Sequence, residues 1–375
     1  MRVAIIHDWL RVNAGSEKVV KELILIYKPD CSLYTLFSKL PLIDRVSVIQ
    51  KIPVYVTILH YVPFISNLYK YLLPLFPIFI KSVHPRGADV YISSSHAVAK
   101  GFSKTKGIPH ICYCHTPMRY IWYMHQDYLK DANGLKSMFL KLFIPLLRRW
   151  DVKTAGKVDF FIANSQHIRE QIQIHYQKDA VVIYPPVEVD KFTLNENPRK
   201  DFYLAVGRFV PYKKIDVVIQ AFTQMPDKKL VLIGDGYDAI RIKKIIADHP
   251  NIVWLGYQHD DELLLYMQNA KACIFAAKED FGIMCVEAQA TGTPVLALNY
   301  GGYQETVIEG ETGYFFDEQT TASIQNAVNK FEQAPLTHFS RIRENAVRFS
   351  AARFRNEISE YVQSCIKKYS DSSHG

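Results

Sequence analysis

The chain has 375 residues, 49% of them hydrophobic and 22% charged, which is more than one compact core usually holds and excludes a fibrous or disordered protein; two packed domains are expected. The net charge of +8 is uneven: 24 Lys/Arg stand against 14 Asp/Glu through Asp190 and 21 against 23 beyond it, so the basic first half suits anionic lipid or a phosphorylated acceptor. No dense Lys/Arg run with interleaved aromatics marks a nucleic-acid surface, and the six cysteines form no C-x-x-C pair or metal-ligand spacing, as in a reduced, cytoplasmic protein.

The chain opens directly into strand-like Val3–Ile6, without the apolar core and cleavage site of a signal peptide. Helix-length Glu17–Tyr27 follows, then strand-like Ala88–Ser93, His110–Cys114, Phe160–Ala163 and Val181–Tyr184, with a helix over Ser137–Thr154. The apolar stretch from Ile52 to Val83 is broken by Pro63, Pro74 and Pro77, whereas a membrane span needs roughly 20 uninterrupted apolar residues. It reads as helices packed on the first sheet, or as an interfacial segment with Lys70 and Lys81 at lipid headgroups.

After a polar stretch, Lys191–Asn195 to Pro198–Lys200, the alternation starts again. Strands are expected at Tyr203–Val206, Lys229–Ile233, Ile252–Leu255, Ala272–Phe275 and Pro294–Leu298. Helices are expected at Ile215–Phe222, Ala239–Ala247, Asp260–Asn269, Ile283–Ala290 and Thr321–Phe331, with a last one over Ala351–Lys367 behind an N-cap at Ser350. The fold class is therefore α/β, two doubly wound Rossmann-like domains facing a cleft at the carboxyl ends of their strands. The first domain is expected over residues 1–190 and the second over 191–349. Residues 350–375 form a helix packing back toward the first domain, with a frayed tail.

The most informative segment runs from Glu279 through Asp280, Phe281, Gly282 and Ile283 to Glu287, between a strand and a helix. Amides around Gly282, Ile283 and Met284, with the helix dipole, suit a phosphate, and an acidic residue inside the helix suits a ribose diol. A second segment, Gly207-Arg208 through Lys213-Lys214, places cations after another strand, where they would stabilise charge on a leaving diphosphate. A third is the strand end His110 to His115, continued by Thr116-Pro117-Met118-Arg119-Tyr120. The loop His7 to Lys18 contains Gly15, and Gly234-Asp235-Gly236 makes another tight turn after a strand.

Glu279 to Val295 meets every fixed position of E-x-F-G-x-x-x-x-E-A-x-A-x-G-x-P-V and so resembles the E-x7-E motif of the retaining GT-B glycosyltransferases of family 4, whose G-R-x-x-x-x-K element matches Gly207 to Lys213. The resemblance covers nearly the whole chain, is strongest from Leu204 to Phe316, and is closest to the branch of O-antigen and capsule mannosyltransferases. It implies that Glu279 holds hydroxyls of the donor sugar, Glu287 the ribose, and Phe281, Gly282 and Ile283 the diphosphate region. Arg208 and Lys213 bind phosphate by the same carry-over, beside Gly207, with Gly234 walling the pocket. His115 stands at the reaction centre, and Arg119, Tyr120 and Trp122 shape the acceptor side. The family has two glycines where this chain has Ala14-Gly15, leaving Gly15 to allow close approach.

The implied reaction is transfer of a hexose, mannose from GDP-mannose first and UDP-sugars next, with retention of configuration, to a glycan or polyprenyl-diphosphate-linked glycan in surface polysaccharide synthesis. No cofactor is expected. The sequence has no D-x-D element for a metal, so cations and helix amides are expected to serve in its place. A cytoplasmic enzyme, peripheral at the inner membrane face, is implied. Gly234 to Ala239 also satisfies G-x-G-x-x-A, so an NAD-dependent oxidoreductase is a rival reading, and a non-catalytic sugar-nucleotide-binding module another.

Overall fold

A computed structural model describes residues 1–123 and 134–373. The chain divides into two compact units, Met1–Pro186 joined by the residues from Ala352 onward, and Val187–Ala351. The sequence placed these divisions after residues 190 and 349.

The first unit is built on a seven-stranded parallel sheet of β1 (Val3–His7), β2 (Cys31–Thr35), β3 (Val54–Val56), β4 (Val90–Ser95), β5 (His110–Cys114), β6 (Phe160–Ala163) and β7 (Ala180–Val182), in the order β3-β2-β1-β4-β5-β6-β7. β1, β4 and β5 are buried at every position, as strands covered on both faces must be. Two strand expectations shift. β4 starts at Val90 and runs on to Ser95, and the strand expected at Val181–Tyr184 is Ala180–Val182, ending ahead of Pro185-Pro186, where ladder donors are lacking. β2 and β3 were not anticipated, because β2 alternates between buried and half-buried positions and β3 has only three residues.

The last helix, Ala351–Ser373, belongs to the first unit. Phe354, Ile358, Val362 and Cys365 recur at helical spacing and are buried in one cluster with Val3, Ile5, Val19 and Leu23. Arg355 donates to Glu22 at 2.5 Å and Arg353 to the Tyr184 carbonyl at 2.9 Å, closing the helix onto the helix Gly15–Tyr27 and onto the chain after β7.

The second unit holds β8 (Tyr203–Val206), β9 (Leu230–Ile233), β10 (Ile252–Trp254), β11 (Ala272–Phe275), β12 (Val295–Leu298) and β13 (Gly313–Phe316), all parallel, in the order β10-β9-β8-β11-β12-β13. The expected helices appear within two residues of their expected ends, and β13 with the helices Tyr303–Thr306 and Phe339–Val347 were not anticipated. Arg343 ties the last of these down by donating to the carbonyls of Phe192 and Ala290 at 2.7 and 2.6 Å. All six cysteines are buried and free. Among the described residues no helix is long and apolar enough to cross a membrane.

Phe354 is fully buried, so Phe354→Ala should leave a cavity under β1 and lower unfolding free energy by about 3–5 kcal/mol. Urea denaturation of the full chain measures this; a change under about 1 kcal/mol would show that the last helix contributes little to the first unit.

Candidate active site

In the second unit the chain turns away in opposite directions after β8 and β11, which are neighbours in the sheet, so the two following loops part there. A doubly wound sheet takes its ligand at such a split. The first loop runs Gly207, Arg208, Phe209 and then a 3-10 turn, Pro211–Lys213. The second carries Glu279, Asp280, Phe281 and Gly282 into the helix Ile283–Ala290. Lys213 Nζ donates to Glu279 Oε1 at 2.5 Å, with about a fifth of each side chain exposed. Burial works against the charge on Lys213, but Glu279 outweighs it and raises the ammonium pKa above its ordinary value. Arg208 is exposed and donates to the Tyr212 hydroxyl at 3.2 Å. Four of the residues expected in the site, Gly207, Arg208, Lys213 and Glu279, thus stand on one side of the second unit.

Backbone contact positions these loops. Gly234, at φ 136°, lies against the Gly207 carbonyl so closely that a Cβ there would come within 1.9 Å of the oxygen. The contact is fixed by Gly207 N–H donating to the Ile233 carbonyl at 3.0 Å and Phe209 N–H to the Asp235 carbonyl at 2.9 Å. The resemblance implies that Gly234 walls the pocket; its observed contact is with the Gly207 carbonyl of the cation loop. Gly302 does the same for the other loop: its N–H donates to the Glu279 carbonyl at 3.1 Å, and a Cβ would meet Phe281 Cα at 2.1 Å. Lys214 has a left-handed φ of 54°, which accounts for the glycine common at this position of the motif.

Gly282, at φ 87°, opens the helix Ile283–Ala290, and it has no side chain to accept from the first amides of that helix, which have no partner within the helix itself. Phe281 is buried against Phe349, with ring centroids 5.5 Å apart. Glu287 lies inside the helix and is buried. The rest of the motif packs: Ala288 and Ala290 are fully buried, and Gln289 with Asn345 holds the Thr306 carbonyl at 2.9 and 2.8 Å.

The first unit splits in the same way between β1 and β4. There Asp8 accepts from the backbone amides of His96, Ala97, Val98 and Ala99 at 2.6–3.0 Å and lies 3.1 Å from His96 Nδ1. His115, at the end of β5, is nearly buried and its Nε2 is 2.7 Å from Ser94 Oγ, which also lies 3.2 Å from His7 Nδ1. His7 Nε2 approaches Glu17 at 3.9 Å. His7, Asp8, Glu17 and His96 were not picked as site residues; the polar run at the end of β1, followed by Glu17 in the next helix, was the available signal. Gly15 begins that helix, and the Ala14 amide is held by Glu17 at 3.3 Å. The side chain of Asn164 donates to the His115 carbonyl at 2.9 Å.

Arg119 and Tyr120 are half-buried after β5. Trp122 serves a structural contact, its indole donating to Asp151 at 2.8 Å and stacking on His175 at 4.4 Å. Asp151 also pairs with the buried Lys100. A cavity of about 470 Å³ lies at the ends of β2 and β3 between Tyr34, Tyr55, Thr57, Ser82, His84 and Arg86, none of which was expected in the site. No cluster that could hold a metal occurs among the described residues.

Comparison with known proteins gives this geometry a family. Residues 186–349 match the model described as glycosyl transferases group 1, and residues 30–191 match Glycosyltransferase Family 4. An uncharacterized glycosyltransferase of Methanocaldococcus jannaschii is 27% identical over 281 residues, 72% of this chain and 74% of that one. A D-inositol 3-phosphate glycosyltransferase of a Mycobacterium species is 27% identical over 55% of this chain, which spans about half (52%) of that enzyme. The crystal structure of Anabaena HepE in complex with UDP superposes with a TM-score of 0.71 at 17% identity, covering 97% of this chain and 100% of that one. The chain is a glycosyltransferase of the GT-B fold. Its two units carry the two matched models, which together take in residues 30–349, and it belongs to glycosyltransferase family 4.

The histidines of the first unit make its stability depend on pH. Burial, then Lys104 and Lys100, push His110 down to about 3. Burial, then His96, His7 and Arg119, hold His115 well below its ordinary value, and burial holds His96 down despite Asp8. These three stay neutral while the unfolded chain takes up protons below about pH 6.5, so their contribution is present above that value and lost as pH falls. His7 acts oppositely: burial lowers its pKa, Glu17 more than restores it, and its contribution is present at low pH and lost as pH rises. Burial also holds His60 and His175 below the ordinary value, so five lowered histidines against one raised predict net destabilisation between pH 7 and 5, at most about 1.4 kcal/mol per pH unit for each unbalanced histidine. Denaturant unfolding across this range should show it, and His110→Gln should remove about one proton from the slope. A stability that does not change from pH 7 to 5 would contradict the assignment.

Proposed function

We propose that the enzyme transfers a hexose from a nucleoside-diphosphate sugar to a glycan or polyprenyl-diphosphate-linked glycan with retention of configuration. The observation that carries this reading is the contact between Lys213 and Glu279 on the loop that leads into the start of the helix Ile283–Ala290. A diphosphate seated there meets Lys213, Arg208 and the positive end of a helix. The first unit's split offers no equivalent, since Asp8 already fills its amides and Glu17 adds a second carboxylate. Glu279 then takes sugar hydroxyls, Glu287 the ribose, and Phe281 and Gly282 shape the turn against the diphosphate. His115 is the group of the first unit assigned to the reaction, with Gly15 allowing close backbone approach.

In the proposed step the bond from sugar C1 to the β-phosphate oxygen breaks, and its electron pair leaves with the nucleoside diphosphate. The acceptor hydroxyl oxygen attacks C1 from the same face and its proton passes to a phosphate oxygen. Arg208 and Lys213 stabilise the charge that grows on the leaving group, without a metal ion. UDP bound to HepE supports a nucleoside diphosphate as ligand. GDP-mannose as donor rests on the resemblance to O-antigen and capsule mannosyltransferases, with UDP-sugars second and surface polysaccharide as the product class.

A thermal-shift screen should show stabilisation by UDP or GDP and by one of their sugars, about 2.7 kcal/mol at a hundredfold excess over Kd, and none by NADH. Release of nucleoside diphosphate from that sugar nucleotide should fall roughly 100-fold in Lys213→Gln and in Glu279→Gln. EDTA should leave the rate unchanged. Stabilisation by NADH alone, or full activity of Lys213→Gln, would overturn the reading; loss in EDTA restored by Mn²⁺ would overturn its metal independence.

A further inference from the structure

The cavity of about 470 Å³ in the first unit has no part in the reaction proposed above, and its volume lies within the roughly 300–1,000 Å³ of small-molecule sites. β2 and β3 pair in register there with Tyr34 opposite Tyr55, and the two rings stack with centroids 4.8 Å apart and planes 18° apart. Tyr34 is half-buried and Tyr55 is 52% exposed, so the pair offers an aromatic surface fixed by the strand ladder. The other wall is the chain from Ser82 to Arg86. Hydrogen bonds pin it: Ser103 N–H donates to the Val83 carbonyl at 3.1 Å, the Tyr91 hydroxyl to the Pro85 carbonyl at 3.2 Å, and His84 Nδ1 to the Ser82 carbonyl at 3.0 Å. Both walls are therefore set before any ligand arrives.

The polar lining is cationic and hydroxylic, without a carboxylate: Tyr34, Tyr55, Thr57, Ser82, His84 and Arg86. Arg86 is exposed and pairs with no carboxylate among the described residues, and Asp89, the acidic residue nearest to it in the sequence, is held by Arg2 at 2.8 and 3.4 Å. A guanidinium without a partner suits a carboxylate or a phosphate, which it meets with two parallel hydrogen bonds. The face of an aromatic ring is electron-rich and attracts the polarised C–H groups of a pyranose. Because Tyr34 already covers one face of Tyr55, a flat base cannot be sandwiched between the two rings. The phenol hydroxyls of Tyr34 and Tyr55 bond to nothing among the described residues and are left for ring hydroxyls.

We infer that this cavity is a saccharide site, distinct from the donor site, for a sugar residue that carries a carboxylate or a phosphate. The pyranose face packs on Tyr55 and Arg86 takes the anionic group. This site rests on the first unit alone and not on the donor, the acceptor or the configuration proposed above. In a glycosyltransferase such a pocket keeps a charged glycan at the enzyme by effective concentration.

Calorimetry and saturation-transfer NMR on the full chain test it, with a hyaluronan tetrasaccharide as the acidic probe, maltotetraose as the neutral one and inorganic phosphate as the anion alone. The acidic tetrasaccharide should bind at least about tenfold tighter than maltotetraose, with saturation concentrated on its ring C–H protons. Arg86→Ala should lower that affinity at least about tenfold, and Tyr55→Ala should remove the ring signals. Because both side chains are exposed, each variant should keep its melting temperature. Binding should persist in Lys213→Gln and under saturating UDP, which separates the pocket from the donor site whatever becomes of the donor reading. No preference for the acidic over the neutral tetrasaccharide, or full affinity in both variants, would overturn the inference. Phosphate binding as tightly as the tetrasaccharide would make the pocket a plain anion site and overturn its assignment to a sugar; displacement by UDP would overturn its separation from the donor site.

Discussion

In each unit two adjacent parallel strands send the chain away in opposite directions, β1 and β4 in the first sheet, β8 and β11 in the second. Loops that part in this way leave backbone amides at the strand ends without neighbours, and those amides must find an acceptor. The two units meet this demand differently. In the first, Asp8 takes four amides itself and is buried in doing so. In the second, the helix Ile283–Ala290 starts on Gly282, which has no side chain to cap its first amides, and Lys213 pairs with Glu279 on the loop before it. An anion of a ligand can replace in the second unit what a carboxylate of the chain supplies in the first.

The opening in the second unit is held to shape by backbone against backbone. Gly234 rests on the Gly207 carbonyl and Gly302 on Phe281, and neither position has room for a Cβ. The loops bearing Lys213 and Glu279 are thereby fixed relative to the sheet, and β8 beside β11 brings the two side chains into contact. Glu279 neutralises Lys213, so this cation is already partly desolvated and oriented.

Much of this was legible in the sequence because it depends on residue type at fixed spacing. Tyr203–Val206, Ala272–Phe275 and Ile283–Ala290 lie where the apolar runs and flanking glycines place them. What could not be read is what depends on which face a residue presents. β3 escaped because a three-residue edge strand carries little pattern, and β2, paired between β3 and β1, because its five residues mix polar and apolar types. The stretch from Ile52 to Val83 is apolar on both sides, and composition alone cannot say that Phe76 is core while Ile78 is exposed. The cluster of His7, Asp8, Glu17 and His96 joins residues from distant parts of the chain, and only the adjacency of β1 and β4 brings them to His115.

That cluster also fixes the proton on His115. Glu17 favours the charged form of His7, whose Nδ1 then donates toward the Ser94 carbonyl at 3.1 Å and its hydroxyl oxygen at 3.2 Å. The Ser94 hydroxyl, accepting from His7, has its own proton free to donate to His115 Nε2 at 2.7 Å. Burial keeps His115 neutral, so a ring that accepts at Nε2 must carry its hydrogen on Nδ1. Glu17, His7 and Ser94 thus act on His115 as positioning residues, selecting the tautomer that offers a donor at Nδ1. A neutral histidine held in that tautomer is a hydrogen-bond donor for a hydroxyl or carbonyl oxygen, which is the chemistry a sugar presents.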